Sequence, residues 1–232
     1  MTVLHGLACR TARACTAAAA LLFTTGTALA GPDWTEVGDA GSFFGSAQIT
    51  SGTSANLTTI YGSLSAGFGA GDYEDMYIIR IIDPANFSMR IDTTDFNAQL
   101  FLFNITLPLG AYGLLSNDDR SASDTRPLLG NMATDATGAK VALPGDYAIA
   151  VSGFNNDPLS STGLIFGPAT TFEVSGADGP GGLNHHIAWT GSGETGSYTI
   201  TLTGAGFPEI PAPGAAALLV LSAGGLAARR RR

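Results

Sequence analysis

The chain has 232 residues, with 11 Lys and Arg against 19 Asp and Glu, a formal net charge of −8 and 31 glycines. Less any addressing segments at its ends, that length fits one domain core. An acidic surface repels phosphate backbones, which argues against nucleic acid as a partner.

The first thirty residues, "MTVLHGLACRTARACTAAAALLFTTGTALA", place Arg10 and Arg13 ahead of an apolar run from Ala14 to Phe23 and end in the small-x-small triplet Ala28-Leu29-Ala30. That order predicts a secretory signal peptide over 1–30, cut before Gly31. The apolar run is about half the ~20 residues that a membrane span needs. Cys9 and Cys15, the 2 cysteines of the chain, both fall in this segment. The mature protein is therefore expected to have no disulfide, although export would permit one. From 31 to 206 five basic residues stand against eighteen acidic ones, a difference of −13. Such a surface suits divalent cations or plain solubility outside the cell.

Residues 33–66, which include "DAGSFFGS", fit either a first strand pair or a flexible lead. Beyond them, period-two alternation predicts strands with one face on a core and one in water. "FSMRID" turns Phe87, Met89 and Ile91 one way and Ser88, Arg90 and Asp92 the other; "YTITLT" does the same with Tyr198, Ile200 and Leu202. "MYIIRII" (76–82), "LFLF" (100–103) and "YAIAV" (147–151) are apolar on both faces, as central strands covered on both sides would be. Turn-rich stretches at 67–72, 116–124 and 176–182 separate them. With no helical periodicity outside the termini and no repeat of 20 to 50 residues, the pattern predicts an all-β sandwich of jelly-roll type over 31–206.

Two groups carry the hard oxygen ligands that calcium prefers: Asp72, Glu74 and Asp75 before one strand, and Asn117, Asp118 and Asp119 after another. Like charges about 4 Å apart repel by roughly 4 kcal/mol at an effective dielectric of about 20, so such groups need a cation, hydrogen bonds or open water. They read either as calcium ligands or as solvated turn residues. "GFNNDPLS" (153–160) is a third polar loop, with Asn155, Asn156 and Asp157. The EF-hand ligand spacing is absent.

The pieces "GDYEDMYIIRI", "FNAQLFLFN", "SNDD", "LPGDYAIAVSG" and "GSYTITLTGA", in that order over about 135 residues, resemble the bacterial pre-peptidase C-terminal (PPC) type of β-sandwich. The resemblance implies a non-catalytic module of a secreted enzyme or surface protein, in a family some of whose members bind calcium. The acidic turn before the first strand is longer here, as Asp72-Tyr73-Glu74-Asp75.

Catalytic motifs are few. The sequence has no Gly-x-Ser-x-Gly elbow, no HExxH pair and no phosphate-binding glycine loop. His185 and His186 are the only histidines after the signal segment; neighbours on a strand point to opposite faces, so they are poorly placed to share a metal. A paired-carboxylate site is not legible from spacing along the chain.

The end of the chain, "PEIPAPGAAALLVLSAGGLAARRRR", runs from Pro208 and Glu209 through Pro211 and Pro213 into an uncharged stretch and stops at Arg229, Arg230, Arg231 and Arg232. Each arginine costs roughly 2.5–3.5 kcal/mol at the membrane centre, against a few tenths returned by each Leu or Val. The tail is expected to stall with Ala215–Leu226 as a short transmembrane helix in the inner membrane and the arginines on the cytoplasmic side.

This order of features over 207–232 resembles the PEP-CTERM sorting signals of Gram-negative bacteria, although Ile210 splits the Pro-Glu-Pro motif. The resemblance implies an exosortase-type membrane enzyme as partner and release to the cell surface or extracellular matrix; extracellular polysaccharide is a further expected partner there. An ordinary C-terminal anchor is the alternative for the tail. For the whole chain the expectation is an exported, non-catalytic, calcium-stabilised surface protein. Its rival is a secreted hydrolase or carbohydrate-active enzyme with an unrecognised carboxylate site.

Overall fold

The computed structural model describes residues 32–65, 71–106, 110–167 and 172–209. The predicted signal peptide lies outside them, as do Pro211, Pro213, the apolar stretch and Arg229–Arg232 of the predicted tail. Among the described residues no helix is long and apolar enough to cross a membrane.

The described strands are β1 (Asp33–Thr35), β2 (Gln48–Ile49), β3 (Thr59–Leu64), β4 (Glu74–Ile81), β5 (Ser88–Thr94), β6 (Ala98–Thr106), β7 (Gly110–Asn117), β8 (Leu128–Leu129), β9 (Gly145–Gly153), β10 (Pro158–Ser160), β11 (Gly163–Leu164), β12 (Ser175–Gly176), β13 (Ala188–Trp189), β14 (Gly196–Thr203) and β15 (Ala205–Gly206). A 3-10 turn at Pro84–Asn86 is capped by the Asp83 side chain, which accepts from the Asn86 amide.

Two sheets face each other. The first has the order β1-β3-β14-β5-β8, and the second runs β12-β7-β6-β9-β4-β15 with β2 also on β4. Of these, β3 to β9 and β14 count as first to eighth in chain order. Their places are then first, eighth, third and sixth in one sheet and second, seventh, fourth and fifth in the other. All their pairings are antiparallel. That is the strand order of a jelly roll, whose long crossovers between sheets leave the core between them. The predicted all-β sandwich is the observed fold.

The pleat explains the packing. On β5 and β14, Met89, Ile91, Ile200 and Leu202 enter the space between the sheets, while Arg90 and Thr203 stay exposed. On β4, Tyr77, Ile79 and Ile81 join that core, whereas Met76 and Ile78 face the outside of the second sheet and are also buried. Their cover is the excursion between β9 and β14, where β11, β10 and β13 form a small third sheet. Ile165, Phe166 and Trp189 of that excursion pack on Phe101 and Phe103. Full burial of each such side chain contributes about 1.5–3 kcal/mol, so the second sheet is stabilised from both faces.

The segment before β3 belongs to the fold. β1 adds parallel to β3 in the first sheet, and β2 adds parallel to β4 in the second, so residues 33–49 strap one end of the sandwich. Gln48 holds the strap: its Oε1 accepts from Trp34 Nε1 at 2.9 Å and from the Val37 amide at 3.0 Å. At the other end of the sandwich sequence, Phe207 packs on the core and Pro208 and Glu209 of the predicted tail follow it. Glu209 lies 3.7 Å from Arg80 but is 79% exposed, so this pair is worth little.

Candidate metal centre

The strap turns sharply between β1 and β2, through Gly38 (φ 74°) and Gly41 (φ 70°). Both angles are ones that side chains with a Cβ avoid. At Gly41 a Cβ would also meet the Ser46 carbonyl oxygen at 2.7 Å. The Gly41 carbonyl accepts from the Met76 amide at 3.1 Å. The turn therefore closes on the start of β4 and carries Glu36 and Asp39 to Asp75.

The Glu36, Asp39 and Asp75 carboxylates each offer an oxygen within 4.8 Å of the others. Backbone amides orient two of them. Glu36 accepts from Ala40 at 3.0 Å and from Ser63 at 2.8 Å, and Asp39 accepts from Gly41 at 2.8 Å.

Asp75 is the buried member, with 0% exposure. Its Oδ2 accepts from the Tyr198 hydroxyl, which lies 2.6 Å from the Tyr77 hydroxyl. This chain of hydroxyls links β14 to β4 across the core. It reaches across because residue 62 on β3 is glycine: a Cβ there would sit 2.3 Å from the Tyr198 hydroxyl. Asp75 Oδ1 is buried with no hydrogen-bond partner, and the Asp75 side chain meets that of Glu36, another acceptor.

Three carboxylates at this separation repel by roughly 3–4 kcal/mol per pair at an effective dielectric of about 20. Among the described residues no ion pair involves any of them. Burial first, and then the charges of Glu36, Asp72 and Asp39, push Asp75 up to about 8 despite the Tyr198 hydrogen bond. Burial likewise raises Asp72 to about 6, and it raises Glu36. Without a cation the cluster must hold protons. A divalent ion would replace them, and the all-oxygen donor set suits calcium.

The structure divides the residues singled out in the sequence. Of the first group, Asp75 is in the centre and Asp72 stands beside it, its Oδ2 accepting from the Ser65 amide at 3.2 Å. Glu74 points to the other face of β4, where Asn156 donates to it. Strand pleating parts neighbours in this way; the second group is divided otherwise, because β7 ends at Asn117 and Asp118 and Asp119 lie beyond it. Asn117 has its amide committed: Nδ2 donates to the Asp119 carbonyl at 3.0 Å and the Glu173 carbonyl at 2.9 Å, and Oδ1 accepts from Leu128 at 2.8 Å. Asn117 thus ties β7 to β8 rather than serving as a free ligand. Asp118 turns to a cleft on the outside of the second sheet and Asp119 is buried. Asn117, Asp118 and Asp119 do not converge on one point.

Glu36 and Asp39 were not singled out in the sequence. Their signal is "TEVGDAG", an acidic pair three residues apart around a turn glycine. His186 is 6% exposed and packs against Trp189 (ring centroids 4.8 Å), Phe43 and Phe103. Burial lowers it to about 4, so the ring is neutral and serves as packing. His185 instead meets the Tyr112 ring at 6.0 Å, so the two imidazoles have separate surroundings. No known family model matches the chain, and no curated protein sequence matches it.

Proposed function

We propose that the protein is an exported, non-catalytic component of the cell surface or extracellular matrix whose jelly roll is locked by calcium at Glu36, Asp39 and Asp75. The observation that carries this reading is Asp75 Oδ1, a fully buried acceptor with no donor, set among carboxylates with no cation. Calcium there would bind a strap residue pair to β4 and so fasten the first segment of the chain to both sheets. Asp72 adds negative charge beside the ion.

Several oxygens of the trio already accept hydrogen bonds, so water must complete the six to eight ligands that calcium takes. That composition fits the weak binding of extracellular modules, roughly 10⁻⁴–10⁻³ M. Magnesium, which needs near-ideal octahedral geometry and gives up water reluctantly, is expected to bind more weakly. Titration calorimetry of the protein at pH 7.5 should show one calcium site in that range, at least tenfold weaker in Glu36→Gln. A wild-type protein that binds no calcium, or a folded Glu36→Gln that binds it unchanged, would remove the reading.

The tail supplies the destination. The energetic cost of moving four arginines through lipid supports a pause in export with the sandwich outside, and the Pro-rich motif directly after the fold gives an exosortase-type enzyme an extended segment to cut. Intact mass spectrometry of the protein recovered from the cell surface should show a chain that begins at Gly31 and lacks Arg229–Arg232. A surface product retaining the arginines would instead mark a permanent anchor.

A further inference from the structure

A second site lies on the outside of the second sheet, where the β9–β14 excursion leaves a cleft of about 380 Å³. Phe101, Phe154 and Phe166 wall it, and Gln99, Asp118 and Asp157 supply its polar atoms. Its volume is at the small end of the range for small-molecule pockets, and apolar walls with a few convergent polar groups are their usual make-up.

The hydrogen-bond inventory decides what kind of ligand is missing. Gln99 Nε2 already donates to Asp157 Oδ1 at 3.1 Å, and Gln99 Oε1 accepts from the Asn156 amide at 3.3 Å. The amide of Asn117, which also lines the cleft, is spent on backbone groups of its own neighbourhood. Asp118 Oδ1 is buried with no partner. An ionised carboxylate only accepts, so the unused capacity at the two aspartates is for donors. The charge is also unbalanced: Asp118 and Asp157 act on each other electrostatically, and neither takes part in an ion pair among the described residues.

A ligand that fits must be cationic, rich in donors, and apolar behind its head. A primary ammonium has three donors and one positive charge, and aromatic faces within about 6 Å of it add cation–π attraction. Calcium would have to complete six to eight oxygens between phenylalanine walls, and a neutral sugar would leave the two charges uncompensated. We propose that this cleft is a binding site for a primary amine, held by its ammonium between Asp118 and Asp157 with its apolar body against Phe101, Phe154 and Phe166. The proposal is independent of the calcium centre.

The test is calorimetric titration of the protein at pH 8, in chelator, with 2-phenylethylammonium and with its neutral isostere 2-phenylethanol. The amine should saturate one site and bind at least tenfold more tightly than the alcohol. Asp118→Asn and Asp157→Asn should each weaken the amine at least tenfold without altering the circular dichroism spectrum, while Glu36→Gln leaves it unchanged. Equal binding of amine and alcohol, no saturable site, or undiminished amine binding in both folded aspartate variants would overturn the proposal. So would calcium displacing the amine one for one in the Glu36→Gln protein, because the cleft would then be a metal site.

Discussion

In a chelator, the midpoint of thermal unfolding is expected to fall between pH 6.5 and 8.5, and saturating calcium is expected to abolish most of that fall. The folded protein holds Asp75 at about 8, far above the ordinary value of 3.8. Between those values the folded state binds more protons than the unfolded one. The associated stability is therefore complete below the ordinary value and is lost as pH rises through about 8. Asp118, raised to about 7 by burial and then by Asp119 and Asp157, adds a smaller loss of the same sign. Asp72, at about 6, has completed most of its loss before this window.

His186 acts in the opposite direction and at lower pH. Its folded value of about 4 lies below the ordinary 6.5, so its contribution is present above 6.5 and lost as pH falls toward 4. The two effects overlap on the acid side and separate above pH 6.5, where the carboxylates act alone. A tenfold change in proton affinity is about 1.4 kcal/mol, so Asp75 loses about 2 kcal/mol across the window. For a domain of this size that is roughly 4–8 °C. Calorimetric scans in chelator and in calcium would measure it; a chelated protein whose midpoint stays level or climbs from pH 6.5 to 8.5 would show that Asp75 does not hold its proton.

The sandwich was legible in the sequence because alternation reports burial directly: Phe87, Met89 and Ile91 are buried as the period of two requires. The doubly apolar runs also read correctly as strands covered on both sides, but the second cover was not legible. Residues 154–189 have little periodicity, and their strands are only two or three residues long. Their packing depends on Phe166 and Trp189 reaching Phe101, a contact set by tertiary structure.

The candidate site was half legible for a related reason. Sequence proximity grouped Asp72, Glu74 and Asp75, and separately Asn117, Asp118 and Asp119, yet a strand turns adjacent side chains to opposite faces. The pleat sent Glu74 to Asn156, while Asp118, just past the end of β7, faces the outer cleft together with Asn117. The partners of Asp75 came instead from Glu36 and Asp39, more than thirty residues earlier, through the strap that pairs with both sheets. A carboxylate cluster built by a parallel strand pairing leaves no spacing rule along the chain.

Replacing Asp75 by asparagine is expected to stabilise the calcium-free protein at pH 8 while removing its response to calcium. The asparagine carbonyl can still accept from Tyr198, and its amide can donate to the Glu36 carboxylate that the Asp75 side chain meets. The substitution thus replaces a buried charge without a donor by a neutral group with partners on both sides. Relief of the proton uptake that Asp75 requires at pH 8 should contribute about 5 kcal/mol, or a rise of roughly 10–20 °C in the midpoint in chelator. The same substitution removes the buried ligand, so calcium should no longer raise the midpoint. Loss of stability in chelator would mean that the Asp75 charge is met by something other than a proton or a metal ion. A variant still stabilised by calcium would place the ion elsewhere. Only a cluster that alternates between protons and calcium predicts a gain without the metal and a loss of response to it from one exchange of oxygen for nitrogen.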